Sequence, residues 1–355
     1  MTKISEAELR TARSEAVLEL QGQLKEKERL LNVYKKSHGK MELFFDAMRS
    51  AIKPIKPLPL IYEPTKNKKP VDTPITAVMR ISDGHMGEVV EPKEIEGFNV
   101  FNPEICRARQ VNYAKDFCDW VDVKRYGYHC HDVVVIVTGD LISGDIHHEL
   151  QVTNAFPVPV QIVRAAEVLA EQLAVLSQNF RTVTVEFIVA DNHSRKTLRP
   201  QASQEGWNSE NYLVGKMAEA YTEKLPNIIF NIYPMHEKVV TVAQMQYLIA
   251  HGHGVLGWMG TPHYGIERKV SREAQARLQL IMEEASRMKE IGFHKYIIGH
   301  WHIEHLSTSY AICPSVSGTS AYDHQKGRYS RPGQTSWMIH PKWGEFDWIN
   351  FRLTG

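Results

Sequence analysis

A chain of 355 residues, 43% hydrophobic and 23% charged, has the composition of a soluble globular protein and could hold two domains or one large α/β domain with appendages. No apolar run approaches the ~18 residues of a membrane span, and the opening MTKISEAELR lacks a signal-peptide core, so no membrane partner and a cytoplasmic location are expected. Residues 1–75 hold 15 of the 42 Lys+Arg and 10 of the 41 Asp+Glu, leaving 27 basic against 31 acidic residues beyond, which argues against a broad basic face on the main domain.

Residues 4–50 contain no proline and are rich in Glu, Lys, Leu and Ala, which predicts a helical N-terminal segment over 1–52. Val17, Leu20, Leu24, Leu31 and Tyr34 form an apolar stripe along it, interrupted by Lys27 and Glu28. That stripe suits a coiled coil or a hairpin docked on the main domain, and so a homo-oligomer or a partner protein held through the N-terminal helix. Residues 53–75 carry six prolines and five lysines, a density that forbids helix and central strand and predicts an extended linker. The main domain is expected over 76–355.

From there the pattern alternates. ITAVMRIS (75–82) predicts a strand, 104–122 a helix, DVVVIVTG (132–139) a buried strand, about 159–179 a helix and TVTVEFIVA (182–190) a strand. A helix over 208–224 precedes strands near 228–233, 238–242 and 246–250. A helix over 271–290, a strand over 294–302 and short strands near 309–315, 335–340 and 346–352 complete the chain. This order predicts α/β layers with a mixed sheet. The four scattered cysteines, with no Cys-x-x-Cys pair, predict buried reduced thiols and neither a disulfide framework nor a thiolate zinc site.

Five predicted strands end in one kind of chemistry: Asp83-Gly-His85, Gly139-Asp140, Asp191-Asn192-His193, His251-Gly-His253 and Gly299-His300-Trp-His302. Each fragment alone is explained equally well by a turn, since Asp and Asn bond to nearby backbone. Together they supply carboxylate, imidazole and amide oxygen at the carboxyl ends of strands, where α/β sheets bind ligands. His300 and His302, two residues apart, would project to one side of an extended chain. Without thiolate, such a set suits Mn²⁺, Fe²⁺ or Zn²⁺, and Mg²⁺ stays open.

In this order the motifs resemble the calcineurin-like metallophosphoesterase superfamily over roughly residues 76–320, and most of all its phage and bacterial members of DNA-repair-exonuclease type. The resemblance implies two mixed β-sheets packed face to face and flanked by helices, an αββα sandwich, here with an N-terminal helical extension. It implies two divalent metal ions, Mn²⁺ favoured. Asp83, His85, Asp140 and His302 resemble the ligands of one ion. Asp140, Asn192, His251 and His300 resemble those of the other, with Asp140 bridging. His193 matches the catalytic histidine, which delivers a proton to the leaving group after attack by a bridging hydroxide. A phage-encoded member would act in the host cytoplasm.

Two positions depart from that pattern. Asp191 stands where the family has glycine, and is expected to tolerate a left-handed backbone. Ser194 stands where the family often has a carboxylate to orient the histidine; Asp145 could substitute, or be a plain loop residue. For substrate contacts the candidates are Arg195 and Lys196, which directly follow His193-Ser194, and Trp258, Tyr264 and Arg268 in the glycine-rich segment 251–269. The plain alternatives are a solvated loop and a tryptophan packed in the core. Residues 317–330 could add to the substrate rim. His253 reads as a supporting or structural residue, and His147 and His148 could approach the site or simply begin a helix.

The leading expectation is a metal-dependent phosphodiesterase, most plausibly a nuclease whose partner is DNA. The alternatives are a phosphomonoesterase or nucleotide phosphatase on another phosphoester, and a metal-poor interaction scaffold.

Overall fold

The β-branched runs beginning ITAV and DVVV become neighbouring parallel strands, because such residues pack well on a pleated surface covered on both faces. The computed structural model describes residues 52–56, 74–257 and 262–354, together with Lys25 and Glu28. The chain divides into two units, Met1–Lys53 and Pro54–Gly355. The expected N-terminal helix lies outside the described residues apart from Lys25 and Glu28, which are helical and exposed. Residues 57–73 of the expected linker also lie outside them. Of its first residues, Ile55 donates its N–H to the Tyr221 carbonyl at 2.9 Å. The first strand opens at Pro74, two residues ahead of the expected boundary.

In chain order the main elements are β1 (Pro74–Ile81), α1 (Pro103–Arg125), β2 (His129–Val137), α2 (Val158–Asn179), β3 (Thr182–Ile188), α3 (Asn211–Tyr221), β4 (Ile228–Tyr233), β5 (Glu237–Val242) and β6 (Met245–Ala250). They continue with α4 (His263–Glu283), β7 (Lys295–Ile298), β8 (His305–Leu306), β9 (Tyr310–Ile312), α5 (Ala321–Gln325), β10 (Gly333–His340) and β11 (Gly344–Arg352). One sheet has the order β11-β10-β1-β2-β3-β4, parallel from β1 to β4 and antiparallel at β10 and β11. The other has the order β5-β6-β7-β9-β8, with β6, β7 and β9 parallel. The expected fold class stands: α/β, with two mixed sheets flanked by helices.

Strand alternation builds the interior. Val78, Ile136, Ile188, Trp337 and Ile339 of the first sheet meet Val240, Val242, Tyr247, Ile249 and Ile297 of the second in one apolar cluster. Their area leaves water at roughly 25 cal/mol per Å². The Trp337 indole N–H donates to Tyr247 Oη at 3.0 Å, satisfying a polar atom buried between the sheets. On the far side of the second sheet, Leu248, Tyr296 and Ile298 pack with Ile266 of α4. Helix α1 begins cleanly because Asn102 accepts the Ile105 N–H (2.8 Å) and Pro103 occupies the first turn, where its missing N–H costs nothing.

Two expectations fail. Helix α4 spans His263–Glu283 rather than 271–290, so Gly265 is helical. A Cβ there would lie 2.1 Å from the Leu256 carbonyl oxygen, so the glycine serves close packing and outweighs its helix cost of ~1 kcal/mol. Strand β7 stops at Ile298, and His300 and His302 have φ of 68° and 55°, so they do not lie on an extended chain or project to one side of it. Their left-handed backbone sends one ring to His251 (centroids 5.1 Å) and the other to His85 (4.9 Å).

Candidate metal centre

Aligned registers bring the motif residues to one edge. Ile81 pairs with Val137 and Val137 with Phe187, so Asp83, Asp140 and Asn192 follow closely past the same ends of β1, β2 and β3. Ile249 pairs with Ile297, which does the same for His251 and His300 in the second sheet. Donor atoms of Asp83, His85 and His302 lie within 4.8 Å of one another, as do those of Asp140, His251 and His300. Asp140 also groups with His85 and His193 on the same measure, so it touches both sets.

The second set is legible atom by atom. His251 Nδ1 is 2.8 Å from the Thr138 carbonyl, which can only accept, so Nδ1 carries the proton. Nε2 of the neutral ring then offers a lone pair, yet it lies 2.9 Å from both Asn192 Oδ1 and Asp140 Oδ2. Three electron-rich atoms therefore face one another with no donor between them, and Asp140 Oδ2 is buried without a hydrogen bond. A proton or a cation resolves this. Burial lowers the His251 pKa, but the adjacent Asp140 carboxylate outweighs it and lifts the ring to about 9. For Asp140 burial acts upward, and the surrounding imidazoles, His251 first, hold it well below the usual carboxylate range. A divalent ion supplies the same compensation without a proton, and the carbonyl-oriented imidazole is a usual arrangement for a metal ligand.

The first set repeats the pattern. His85 Nε2 and His302 Nε2 stand 3.1 Å apart, while His302 Nδ1 faces Asp323 Oδ2 at 3.4 Å. Asp83 Oδ1 lies 3.5 Å from His302 Nε2 and accepts the His300 backbone N–H at 2.9 Å. Ser82 Oγ donates to its other oxygen. The donor chemistry of both sets fits a divalent cation: hard oxygens and imidazoles, ionised or lone-pair-bearing, in a buried site.

His193 sits beside this cluster. Its ring meets His85 edge-on at 4.6 Å, its Nε2 is 3.9 Å from Asp140 Oδ2, and its backbone N–H donates to Asp140 Oδ1 at 3.1 Å. Its Nδ1 donates to the Ser143 carbonyl at 2.7 Å. A backbone oxygen thus orients the ring in place of the missing carboxylate, and Asp145 is exposed. Asp191 does not take the expected left-handed backbone. Its side chain instead accepts from Asp140 N (2.9 Å), Ser194 N (2.9 Å) and Ser194 Oγ, so the two departures bond to each other and brace the turn.

No protein-family model matches the chain, and no curated protein matches it. Among solved structures, Vps29 from Entamoeba histolytica complexed with Zn²⁺ is similar over 78% of this chain and 99% of that one, at 11% identity and a TM-score of 0.27. A likeness of that size carries no argument about family or chemistry.

The expected substrate residues separate. Arg195 turns its guanidinium onto its own loop, bonding the carbonyls of Asn192 (2.7 Å) and Thr197 (3.1 Å). It shapes the loop rather than reaching outward. Lys196 is exposed, and Trp258 lies outside the described residues. Tyr264 and Arg268 line a cleft of about 810 Å³ with Lys269, Arg272 and residues 254–257. Lys269 is paired with Glu237 (3.1 Å) and Glu273 (2.7 Å), whereas Arg268 and Arg272 are exposed.

Two carboxylates at the site escape sequence reasoning. Glu88 is half-buried beside His85 (3.8 Å), and desolvation raises it to about 7. Asp323 caps α5 through Ser320 while facing His302, so its capping box was readable in SAYD but its neighbour was not.

Proposed function

We propose that this chain is a metal-dependent phosphoesterase acting on phosphodiesters, with linear DNA the favoured substrate. One observation supports this above the rest: seven donors from five strand ends, Asp140 among them, gather at one edge, with His193 at their side. Asp83, His85, Asp140 and His302 would hold one ion and Asp140, Asn192, His251 and His300 the other. Such a pair, when bound, activates a water and screens phosphoryl charge.

The chain's own groups do the rest. Asp140 places one carboxylate against both donor sets and would offset the repulsion between two cations held there. The Ser143 carbonyl fixes the His193 proton at Nδ1, which leaves Nε2 to carry and deliver a second proton to the leaving oxygen. Arg268 and Arg272 offer positive charge to a second phosphate, which a polynucleotide has and a small monoester lacks. A phosphomonoesterase is the second reading, favoured by the acidic excess beyond residue 75, which opposes unaided DNA binding.

The purified protein with Mn²⁺ is to be assayed on a chromogenic monoester, a chromogenic diester, and linear single- and double-stranded DNA. Cleavage of the diester and DNA is expected, falling ~10²–10⁴-fold in His193→Ala with bound metal unchanged. Activity on the monoester alone sinks the nuclease reading. Inactivity on every substrate, with no bound metal, sinks the phosphoesterase itself.

A further inference from the structure

Outside the donor sets around Asp140, Glu205, His236 and His253 form a separate cluster drawn from three loops. Glu205 precedes the single turn Gly206–Asn208, His236 lies between β4 and β5, and His253 follows β6. One Glu205 oxygen is 2.8 Å from His236 Nδ1 and the other 2.6 Å from His253 Nε2. Donor atoms of all three residues lie within 4.8 Å of one another.

The cluster is built rather than incidental. The side chains of Glu205 and His253 are 9% and 8% exposed, while His236 keeps 33% of its surface in solvent and leaves the group reachable. His253 turns Nε2 to the carboxylate, and its other ring nitrogen, Nδ1, is buried with no hydrogen-bond partner. Two glycines let the loops close. A Cβ on Gly206 would lie 2.2 Å from the Pro234 carbonyl carbon and 2.5 Å from Met235 N. A Cβ on Gly254 would meet the His236 ring at 3.1 Å. Neither glycine has a positive φ, so close approach and not backbone conformation calls for them.

We infer that Glu205, His236 and His253 bind a third divalent cation, Zn²⁺ by donor chemistry, outside the set gathered on Asp140. Two imidazoles and one carboxylate are a donor set of catalytic zinc sites, and they leave a tetrahedral ion one position for water or an anion. The alternative is a carboxylate latch holding three loops by hydrogen bonds alone. The His253 ring lies 5.5 Å from that of His251 and 6.3 Å from that of His300, so this ion flanks the larger centre. Glycines at 206 and 254 make room for the ligands on either side. The site stands independently of the phosphoesterase reading.

The test counts ions. The full chain, stripped with a chelator and desalted, is titrated with Zn²⁺, and bound zinc per chain is measured by elemental analysis. Glu205→Gln and His236→Ala should each hold one ion fewer than the wild type, while Asp140→Asn loses ions and keeps this one. Addition of Co²⁺ should give the intense absorption of a tetrahedral ion, lost in His236→Ala and retained in Asp140→Asn. His236 is partly exposed, so its variant serves where Glu205→Gln fails to fold, with circular dichroism as the check. Unchanged zinc in folded His236→Ala overturns the site. An ion lost in His236→Ala but kept in Asp140→Asn upholds it even if the phosphoesterase reading fails.

Discussion

Asp83, His85, Asp140, His300 and His302 hold φ of 51°, 48°, 47°, 68° and 55°, five of the nine non-glycine residues with positive φ among those described. A left-handed backbone costs an L-residue about 1–2 kcal/mol, so this concentration of strain is sustained only by the surrounding structure, as is common at functional sites. Gly299 shows how tight that enforcement is. Its absent Cβ would lie 2.1 Å from Ser82 Oγ and 2.2 Å from Asp83 Oδ2, both short side chains with nowhere to retreat. Gly299→Ala should therefore displace Asp83, cost about 1–3 kcal/mol and release metal. Melting in chelator and metal content check the two effects separately, and an unchanged metal content would contradict the packing argument.

At the scale of elements, β6 with α4 shows one segment carrying a candidate metal donor and shaping a cleft. His251 directly follows β6, and residues 254–257 line the cleft together with the first turns of α4. Ile266 anchors the helix in the apolar layer over the second sheet, which leaves Arg268 and Arg272 facing out. If these two meet a polyanion, Arg268→Glu with Arg272→Glu should raise KM for DNA at least tenfold. The dependence of log affinity on log salt should flatten by about 2, because two phosphate contacts are lost. Turnover of a small diester should be unaffected. An unchanged salt slope would show that the cleft does not touch the backbone of the substrate.

Across the described residues, the buried apolar surface lies in the two-sheet interior and under the helices packed outside it, and titration exposes that dependence. Cys118 and Cys130 are buried, and desolvation first pushes both thiols up to about 12 from an ordinary 9. A folded pKa above the unfolded one means that the folded state keeps protons which the unfolded chain has lost. Their contribution is thus intact below pH 9 and declines as pH rises towards 12, by about 1.4 kcal/mol per unit for each thiol. Urea unfolding at pH 8 and pH 10 should show the wild type losing about 2–3 kcal/mol more than Cys118→Ala/Cys130→Ala. Equal losses in the two proteins would refute the assignment.

Local order was readable from residue patterns alone. β-Branched runs placed β1, β2, β3 and β4 to within a few residues, and the five polar strand ends single out seven donors and His193. That legibility has a physical cause: hydrophobic periodicity records which face of an element is buried, and a cluster of Asp and His after an apolar run breaks the pattern. Only the tertiary structure decided how those ends are held. Ser143 orients His193 through a carbonyl, which every residue type possesses and no sequence displays. Arg195 turns inward, Asp191 and Ser194 brace one another, and Glu205 joins His236 and His253 across 31 and 48 residues. Such contacts depend on where separate loops meet, and that is fixed by the packing of the two sheets rather than by neighbours along the chain.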